Sequence, residues 1–433
     1  MTSSTFDRLF ALETFGIKLG LENILRLCTA LGHPERAFRS LHVAGTNGKG
    51  SVSAMTHAAL RAAGVHAARY TSPHLAELSE RFVVGDEPVE ATRLEAVVHD
   101  VLRCADRLRE EGGLTAPPTF FEATTAAAFE LFRREKVDVA VIEVGLGGRF
   151  DATNVVSPLA GAITTIDFDH LQHLGTTLGA IAFEKAGIIK PGMTVVIGDL
   201  GPEAREVVER RAAEQGATVV EATSDTRAES EMIDGRARLT LATPSGSYGP
   251  LTLNLRGEHQ IVNAIVVVRL LEVAAASGVA IPRHAIERGL AVAEWPARLE
   301  LVTLDEGRRV LLDAAHNPEG ARALAAYLRR WHPERPPLVL GVMRDKNVSE
   351  IAHTLLPAVS SVIATAAPTP RAIPPDELAR RLRAAGADSV RVEADPNLAI
   401  EQALVGAGTI CVAGSIFLAG AVRDRLRQRA ILR

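Results

Sequence analysis

The chain has 433 residues, 47% of them hydrophobic and 23% charged, with a net charge of −4. That length exceeds what one core usually sustains, so about two or three domains are expected, with the composition of an enzyme that buries a substantial core. The charge argues against a nucleic-acid binder held by phosphate contacts; Cys28, Cys104 and Cys411 form neither a disulfide framework nor a metal pair; and the absence of a signal peptide or membrane-length apolar run implies a cytoplasmic protein.

Residues 1 to 40 read as helical, with Leu21, Ile24, Leu25 and Leu27 as an apolar stripe, and lead into LHVAGTNGKGS at 41–51. Leu41, Val43 and Ala44 suit a buried strand, and Ser51 onward has the spacing of a helix ending at Gly64. A glycine-rich turn between strand and helix cradles phosphate. Gly45, Gly48 and Gly50 let the backbone approach an anion, the helix dipole points at it, and Lys49 adds positive charge. The pattern G-x-x-x-x-G-K-[ST] is departed from twice: Val43 stands at its first glycine, and Gly50 separates Lys49 from the Ser51 hydroxyl. A variant loop is expected.

In YTSPHL at 70–75, Pro73 breaks regular structure and leaves Thr71 and Ser72 in a loop after a strand, near the phosphate end of a parallel sheet. Alone, Ser72 reads as a turn residue. Residues 90 to 111 form an amphipathic helix, and another begins at Thr119, whose spacing to Glu122 is that of a capping box. Strand 137–144 carries Glu143 near its carboxyl end, where a carboxylate can hold Mg²⁺ beside a nucleotide, and glycines 145, 147 and 148 allow a tight exit. After the strand LAGAITTI, the residues Asp167, Asp169, His170 and His173 match no zinc spacing, so a single histidine metal ligand is expected. Lys185, on a helix ending near Gly187, reads as a solvated residue. Lysine occurs only at Lys18, Lys49, Lys136, Lys185, Lys190 and Lys346, and in so arginine-rich a chain a retained lysine marks a use for a titratable amine.

From 195 a strand, a helix over 203–216 and a Ser/Thr/Gly-rich run of short alternating segments to 255 precede a long apolar helix from RGEHQIVNAI, expected to pack on the main sheet. Near Trp295-Pro296 the pattern restarts. Strands at 299–304, 309–313, 337–341, 361–365, near 390 and at 409–413 alternate with helices, which predicts a doubly wound arrangement. The expected fold is α/β, with a phosphate-loop domain over 1–295 and a Rossmann-like domain over 296–433. DAAHNP (313–318), MRDKN (343–347) and AGS (413–415) follow strands, where ligands of open α/β sheets bind.

GTNGKGS, YTSPHL, TFFE, EVGLGGRFDATN, Asp-His at 169–170, EKAGIIK, HQIVN at 259–263, PARLE at 296–300, DAAHNP, DKN and GS together resemble the folylpolyglutamate synthase family. That family includes a bifunctional dihydrofolate synthase form and lies within the Mur-ligase superfamily. The resemblance implies a P-loop ATPase-like domain of the Mur-ligase central type, a C-terminal glutamate-ligase domain, and ATP between them. It places Gly45, Thr46, Asn47, Gly48, Lys49, Gly50 and Ser51 at the ATP phosphates, with Asn263, Arg298 and Asp313 as further nucleotide contacts. Ser72, Glu143 and His170 match Mg²⁺ ligands, with two metal sites implied and K⁺ as a further candidate ion.

Lys185 matches a lysine that CO₂ converts to a carbamate (N6-carboxylysine), chemistry that requires a neutral amine. Thr119, Phe120, Phe121, Glu122, Phe150, Asp151 and Ala152 match pterin-side contacts, so Glu122 has a role besides capping, and His316 and Ser415 resemble residues near the incoming glutamate. Lys49, Lys185 and His316 are the expected catalytic groups. The departures, Asp167 and Phe168 before His170 and Ala297 where glycine is common, bear on pterin preference more than on ATP chemistry.

The activity implied is ligation of L-glutamate to dihydropteroate and to tetrahydrofolate polyglutamates through an acyl phosphate. The partners implied are these small molecules, without nucleic acid or membrane, on a monomer that closes about a hinge near Trp295. One alternative is folylpolyglutamate synthase activity alone, or another Mur-type amino-acid ligation. Another, of a different class, is a nucleotide switch that hydrolyses ATP to regulate a partner.

Overall fold

The computed structural model describes residues 4–16, 18, 20–304 and 307–429; the helical reading of Met1–Ser3, Ile17 and Leu19 lies outside these. Helices α1 (Ser4–Ala11) and α2 (Glu22–Ala30) precede β1 (Arg39–Ala44), α3 (Lys49–Ala62), β2 (Ala67–Tyr70), β3 (Phe82–Val84) and β4 (Glu87–Pro88). The chain continues through α4 (Ala91–Glu110), α5 (Phe120–Arg134), β5 (Val139–Glu143), β6 (Ala160–Ile163), α6 (Leu171–Leu174), α7 (Leu178–Ala186), β7 (Thr194–Ile197), α8 (Pro202–Glu214) and β8 (Thr218–Glu221). These eight strands form one sheet in the order β4-β3-β2-β5-β1-β6-β7-β8, parallel from β2 onward, with β3 and β4 antiparallel at the edge. β1, β5 and β6 are apolar runs because layers cover both faces of the sheet: α5 and its neighbours on one side, α3 and α9 on the other.

The polar run read as short alternating segments resolves into β8, at the edge of the main sheet, and a separate antiparallel sheet of β9 (Arg227–Ile233), β10 (Arg236–Thr243) and β11 (Gly246–Arg256). Two helices follow, α9 (His259–Ala276) and α10 (Arg283–Val292), the second not anticipated from the sequence; both pack against α3. With 18 residues at a mean hydropathy of 1.5, α9 is long and apolar enough to cross a membrane, but 61% of it is buried against α3, β6 and β7. Its charged pair Arg269–Glu272 closes at 2.7 Å, so this is a core helix, largely buried between α3 and the main sheet.

The second sheet comprises β12 (Glu300–Thr303), β13 (Arg309–Leu312), β14 (Leu338–Leu340), β15 (Val362–Ala364), β16 (Val390–Val392) and β17 (Thr409–Ala413). It is wrapped by α11 (Pro318–Trp331), α12 (Val348–Leu355), α13 (Pro375–Ala384), α14 (Pro396–Leu404) and α15 (Ile416–Gln428). The order is β12-β13-β17-β14-β15-β16, with β12 antiparallel and the rest parallel. At the joint before this sheet, Ala297 and Leu299 both adopt left-handed backbone, φ +54° and +48°. The Ala297 methyl is enclosed with Ala314 and Ala419, so its burial offsets a conformation that glycine would adopt freely.

Candidate active site

Four adjacent parallel strands of the first sheet deliver their carboxyl ends to one place: β2 ahead of Ser72, β5 at Glu143, β1 ahead of the glycine loop, and β6 ahead of Thr164 to His170. The loop is tighter than the sequence suggests, since α3 begins at Lys49, with Gly48 as its N-cap at φ +83°. Side chains here are forbidden by contact. A Cβ on Gly45 would lie 1.9 Å from Thr164 Oγ1, and one on Gly48 would lie 2.6 Å from Asn263 Oδ1. Gly50 is covered by the Trp295 ring, 2.5 Å from where its Cβ would stand. Asn263 thus meets the loop directly, and its Nδ2 donates to Gln260 Oε1 (2.9 Å), whose amide in turn reaches the buried Ser51 Oγ at 3.2 Å. The loop backbone is braced against β6, with Thr46 N donating to Thr165 O (2.7 Å) and Asn47 N to Thr165 Oγ1 (3.1 Å).

Lys49 folds back on its own loop, its Nζ donating to Gly45 O and Thr46 O at 3.0 Å each. Lys185, expected to be solvated, is instead buried and donates to the same Gly45 O at 2.7 Å. Ile181, Ala182 and Ala186 occupy the buried face of α7, so Lys185, four residues after Ile181, is carried inward with them. Burial, reinforced by the Lys49 charge, draws the Lys185 amine down to about 7.

Glu143 is buried beside Val43 in the β1–β5 register and accepts from Ser72 N at a long 3.4 Å. Burial pushes its carboxyl up to about 6, against the pull of Lys49, the Ser72 N–H, Arg298 and Arg69. Burial brings the His170 imidazole, which also feels Lys49, down to about 4. Among the described residues no group of three or more His, Cys, Asp and Glu side chains could hold a metal alone. An under-compensated carboxylate at the end of a phosphate loop nevertheless fits Mg²⁺, which takes one or two carboxylates and draws its other oxygens from phosphate and water.

The second sheet closes over this end with residues from its adjacent strands β13, β17 and β14. Asp313 accepts from Leu299 N (2.9 Å) and Ala315 N (2.8 Å), fixing the left-handed joint, while burial pushes its carboxyl up despite the nearby Arg298. Direct hydrogen bonds tie the two sheets together. Asn317 and Asn47 exchange side-chain amides at 3.2 and 3.1 Å, and Glu319 Oε2 accepts from Asn47 Nδ2 (2.5 Å) and Thr165 Oγ1 (3.2 Å). Asp169 accepts from Lys346 Nζ (2.5 Å) and Asn317 Nδ2 (3.0 Å), and lies 3.6 Å from His316 Nε2, whose Nδ1 meets Ala314 O at 2.8 Å. Burial alone would raise the Asp169 carboxyl, but the neighbouring His316 and His170 imidazoles and the Lys346 ammonium outweigh it and hold it far below the carboxylate range.

Glu319 was not singled out from the sequence, and Asp169 and Asn317 were read only as members of the Asp-His and DAAHNP motifs, without this bridging role; Asn317 before Pro318 is also a legible helix start and caps α11 through Gly320 N at 2.9 Å. Arg322–Asp167 and Arg330–Glu258 are further ion pairs between the halves. Ser415 is buried and caps α15 through Phe417 N at 3.1 Å.

The residues expected on the pterin side divide. Thr119 and Glu122 form the capping box, with Thr119 N to Glu122 Oε2 at 2.7 Å and Glu122 N to Thr119 Oγ1 at 3.1 Å. Glu122 Oε2 also takes Asn23 Nδ2 (3.3 Å), while Glu122 Oε1 is buried without a partner among the described residues. Phe121 lies over Gly145, beyond Glu143, with its ring 6.2 Å from Tyr70. Phe120 turns away to stack on Phe10 at 5.7 Å beneath Arg81. Asp151 braces its loop through Leu146 N (2.8 Å) and Thr153 N (3.0 Å), holding Ala152 buried, and Phe150 sits under the Arg149 guanidinium at 4.2 Å.

A phosphate loop on one α/β sheet, hydrogen-bonded to the strand ends of a second, defines a two-part nucleotide enzyme. Family comparison gives the class: residues 43–271 match the Mur ligase middle domain, and residues 297–416 match the Mur ligase glutamate ligase domain. The chain is 38% identical over 354 residues to the dihydrofolate synthase/folylpolyglutamate synthase of Bacillus subtilis, covering 79% of this chain and 81% of that one. It is 34% identical over 408 residues to the folylpolyglutamate synthase of Lacticaseibacillus casei, 93% of each. The Mycobacterium tuberculosis folylpolyglutamate synthase complexed with ADP and AMPPCP superposes with a TM-score of 0.91 at 32% identity, over 99% of this chain and 100% of that one. The chain belongs to the folylpolyglutamate synthase family of Mur ligases.

Proposed function

We propose that the protein is an ATP-dependent amide ligase that joins L-glutamate to dihydropteroate and to tetrahydrofolate polyglutamates. The observation that carries this reading is the Asn47–Asn317 amide pair, which sets the phosphate loop against the strand ends bearing His316 and Ser415. The acceptor carboxylate attacks the γ-phosphorus of ATP, the bond to ADP breaks, and the amine of glutamate then displaces phosphate from the acyl carbon, losing a proton.

Thr46 to Ser51 hold the phosphates through backbone amides and Lys49, with Asn263, Arg298 and Asp313 contacting the rest of the nucleotide. On ATP binding Lys49 exchanges its two loop carbonyls for phosphate oxygens. Ser72, Glu143 and His170 would hold Mg²⁺, which when bound neutralises phosphate charge. Lys185, whose amine is half neutral near pH 7, is suited to take up CO₂ as a carbamate and so to supply an anionic group for a second ion. Glu122 Oε1, buried and unpartnered, and Phe121 are suited to a pterin, one accepting from its N–H edge and the other packing on its ring. His316 and Ser415 receive glutamate. The interdomain hydrogen bonds exclude water that would hydrolyse the acyl phosphate. Both halves of the site come from one chain, which supports a monomeric enzyme with a first domain over 1–295 and a second over 296–433, and three buried free cysteines suit the cytoplasm.

ADP release should be assayed with dihydropteroate and with tetrahydrofolate, each with and without glutamate, Mg²⁺ and K⁺. Release that needs both acceptor and glutamate is expected. Release with tetrahydrofolate alone would restrict the enzyme to chain extension, and glutamate-independent hydrolysis would overturn the ligase reading.

A further inference from the structure

A cavity of about 690 Å³ lies between the two halves, walled by α3, the end of β2 and the β3–β4 hairpin on one side and by Trp295, Arg298 and α15 on the other. Six arginines line it, and three of them are spoken for. Arg61 is paired with Asp86 at 3.2 Å, and Arg423 and Arg427 with Glu300 at 2.9 and 3.6 Å. Arg69, Arg288 and Arg298 differ: among the described residues none of the three has a carboxylate at ion-pair distance. Arg298 donates to Ala297 O at 2.9 Å, whereas the buried Nε of Arg69 has no hydrogen-bond partner among the described residues. The Arg69 guanidinium lies 4.9 Å from the Trp295 ring, the same ring that covers Gly50 of the phosphate loop. Burial draws Arg69 down to about 10 while the field of Glu143 opposes it, so the group is cationic and under-compensated.

A guanidinium stacked on indole uses its face and keeps its N–H edges, which match a carboxylate in a fork. We propose that Arg69 binds a carboxylate of the glutamyl substrate in this cavity, an assignment that rests on the ligase reading above. The carboxylate belongs either to free L-glutamate or to the γ-glutamyl tail already attached to the acceptor. Both are aliphatic carboxylates entering beside the phosphate loop, and both require Arg69 in the same way.

The test is steady-state kinetics of Arg69→Met, which keeps the stem on Trp295 without charge, and Arg69→Lys, which keeps charge without the fork. KM is measured for L-glutamate and for acceptors bearing one and three glutamyl residues. Losing a charge-assisted fork should raise the relevant KM about tenfold to a hundredfold in Arg69→Met and less in Arg69→Lys, with kcat little changed. A rise for L-glutamate identifies the free amino acid, and loss of the tail-length dependence identifies the tail. Unchanged values overturn the assignment, as does an effect confined to Mg²⁺ dependence, which would make Arg69 a counter-charge to Glu143.

A second measurement needs no turnover. In a Trp331→Phe background, Trp295 fluorescence should change saturably with L-glutamate or tri-γ-glutamate, and Arg69→Met should abolish the change. Should Arg69→Met fail to fold, absence of a saturable change in the Arg69 protein overturns the proposal, and its presence with either probe supports it. Wild-type enzyme without glutamate-dependent ADP release sinks the ligase reading, whereas normal wild-type turnover with unchanged Arg69→Met KM values sinks this assignment alone.

Discussion

Lys49 and Lys185 donate to one carbonyl oxygen, Gly45 O, at 3.0 and 2.7 Å. Burial, reinforced by repulsion from the Lys49 ammonium on the same acceptor, draws the Lys185 amine down to about 7. The neutral form predominates above that pH, and only the neutral form reacts with CO₂. With ¹³C-bicarbonate, a carbamate resonance should therefore grow as pH rises through about 7 and be missing in Lys185→Arg. No resonance at pH values above 8 would remove the modification from the mechanism.

Lys49→Ala leaves Gly45 O bonded to Lys185 and removes one positive charge from the phosphate loop. Turnover should fall at least about a hundredfold, the usual scale for deleting one preorganised stabilising group from an active site. The thermal midpoint should barely move, since among the described residues the Lys49 amine bonds only to its own loop. With the charge gone, the Lys185 carbamate midpoint should shift to higher pH. A near-normal rate would take the loop out of catalysis.

Asp169 binds Lys346 (2.5 Å) and Asn317 (3.0 Å) across the two halves, and Lys346 is buried with it. Asp169→Asn keeps an acceptor but strands a buried ammonium, and breaking such a pair from one side costs about 3–5 kcal/mol at full burial. We expect kcat/KM to drop about tenfold or more and the second half to unfold at a lower temperature. Adding Lys346→Met should restore stability without restoring rate, because the stranded charge is gone while the bridge is still broken. Restoration of both would assign Asp169 to stability alone.

The phosphate loop was legible because its chemistry is local: strand, glycines, lysine and helix are contiguous. So was the alternation that gives the second sheet. The Asn47–Asn317 pair spans 270 residues, and no periodicity in either segment announces it. The burial of Lys185 was hidden for a different reason. A lysine near a helix end is ordinarily solvated, and its place on the face of Ile181 and Ala182 carried the contrary signal. The joint at Ala297 is the converse case: the unusual residue was visible in the sequence, but its φ of +54° was not.

His42 lies on β1, wholly buried, three residues before Gly45. Thr153 Oγ1 donates to Asp151 Oδ1 (2.5 Å), so its contact with His42 Nε2 (2.9 Å) is one it accepts; Nε2 carries the proton, and Nδ1 is bare and has no partner among the described residues. Burial, helped by the Lys190 charge, draws the imidazole from 6.5 to about 3. Below pH 6.5 the unfolded chain takes up a proton that the folded chain refuses, so the contribution is complete above that pH and is lost as pH falls toward about 3. At pH 5 the loss is about 2 kcal/mol. His42→Gln can keep an N–H on Thr153 without titrating, so urea unfolding at pH 7.5 and 5 should show the acid-dependent drop shrinking by about that amount. An undiminished drop would mean that the acid sensitivity resides elsewhere, for which His57, buried and drawn down to about 3 by the same cause, is the next variant to measure.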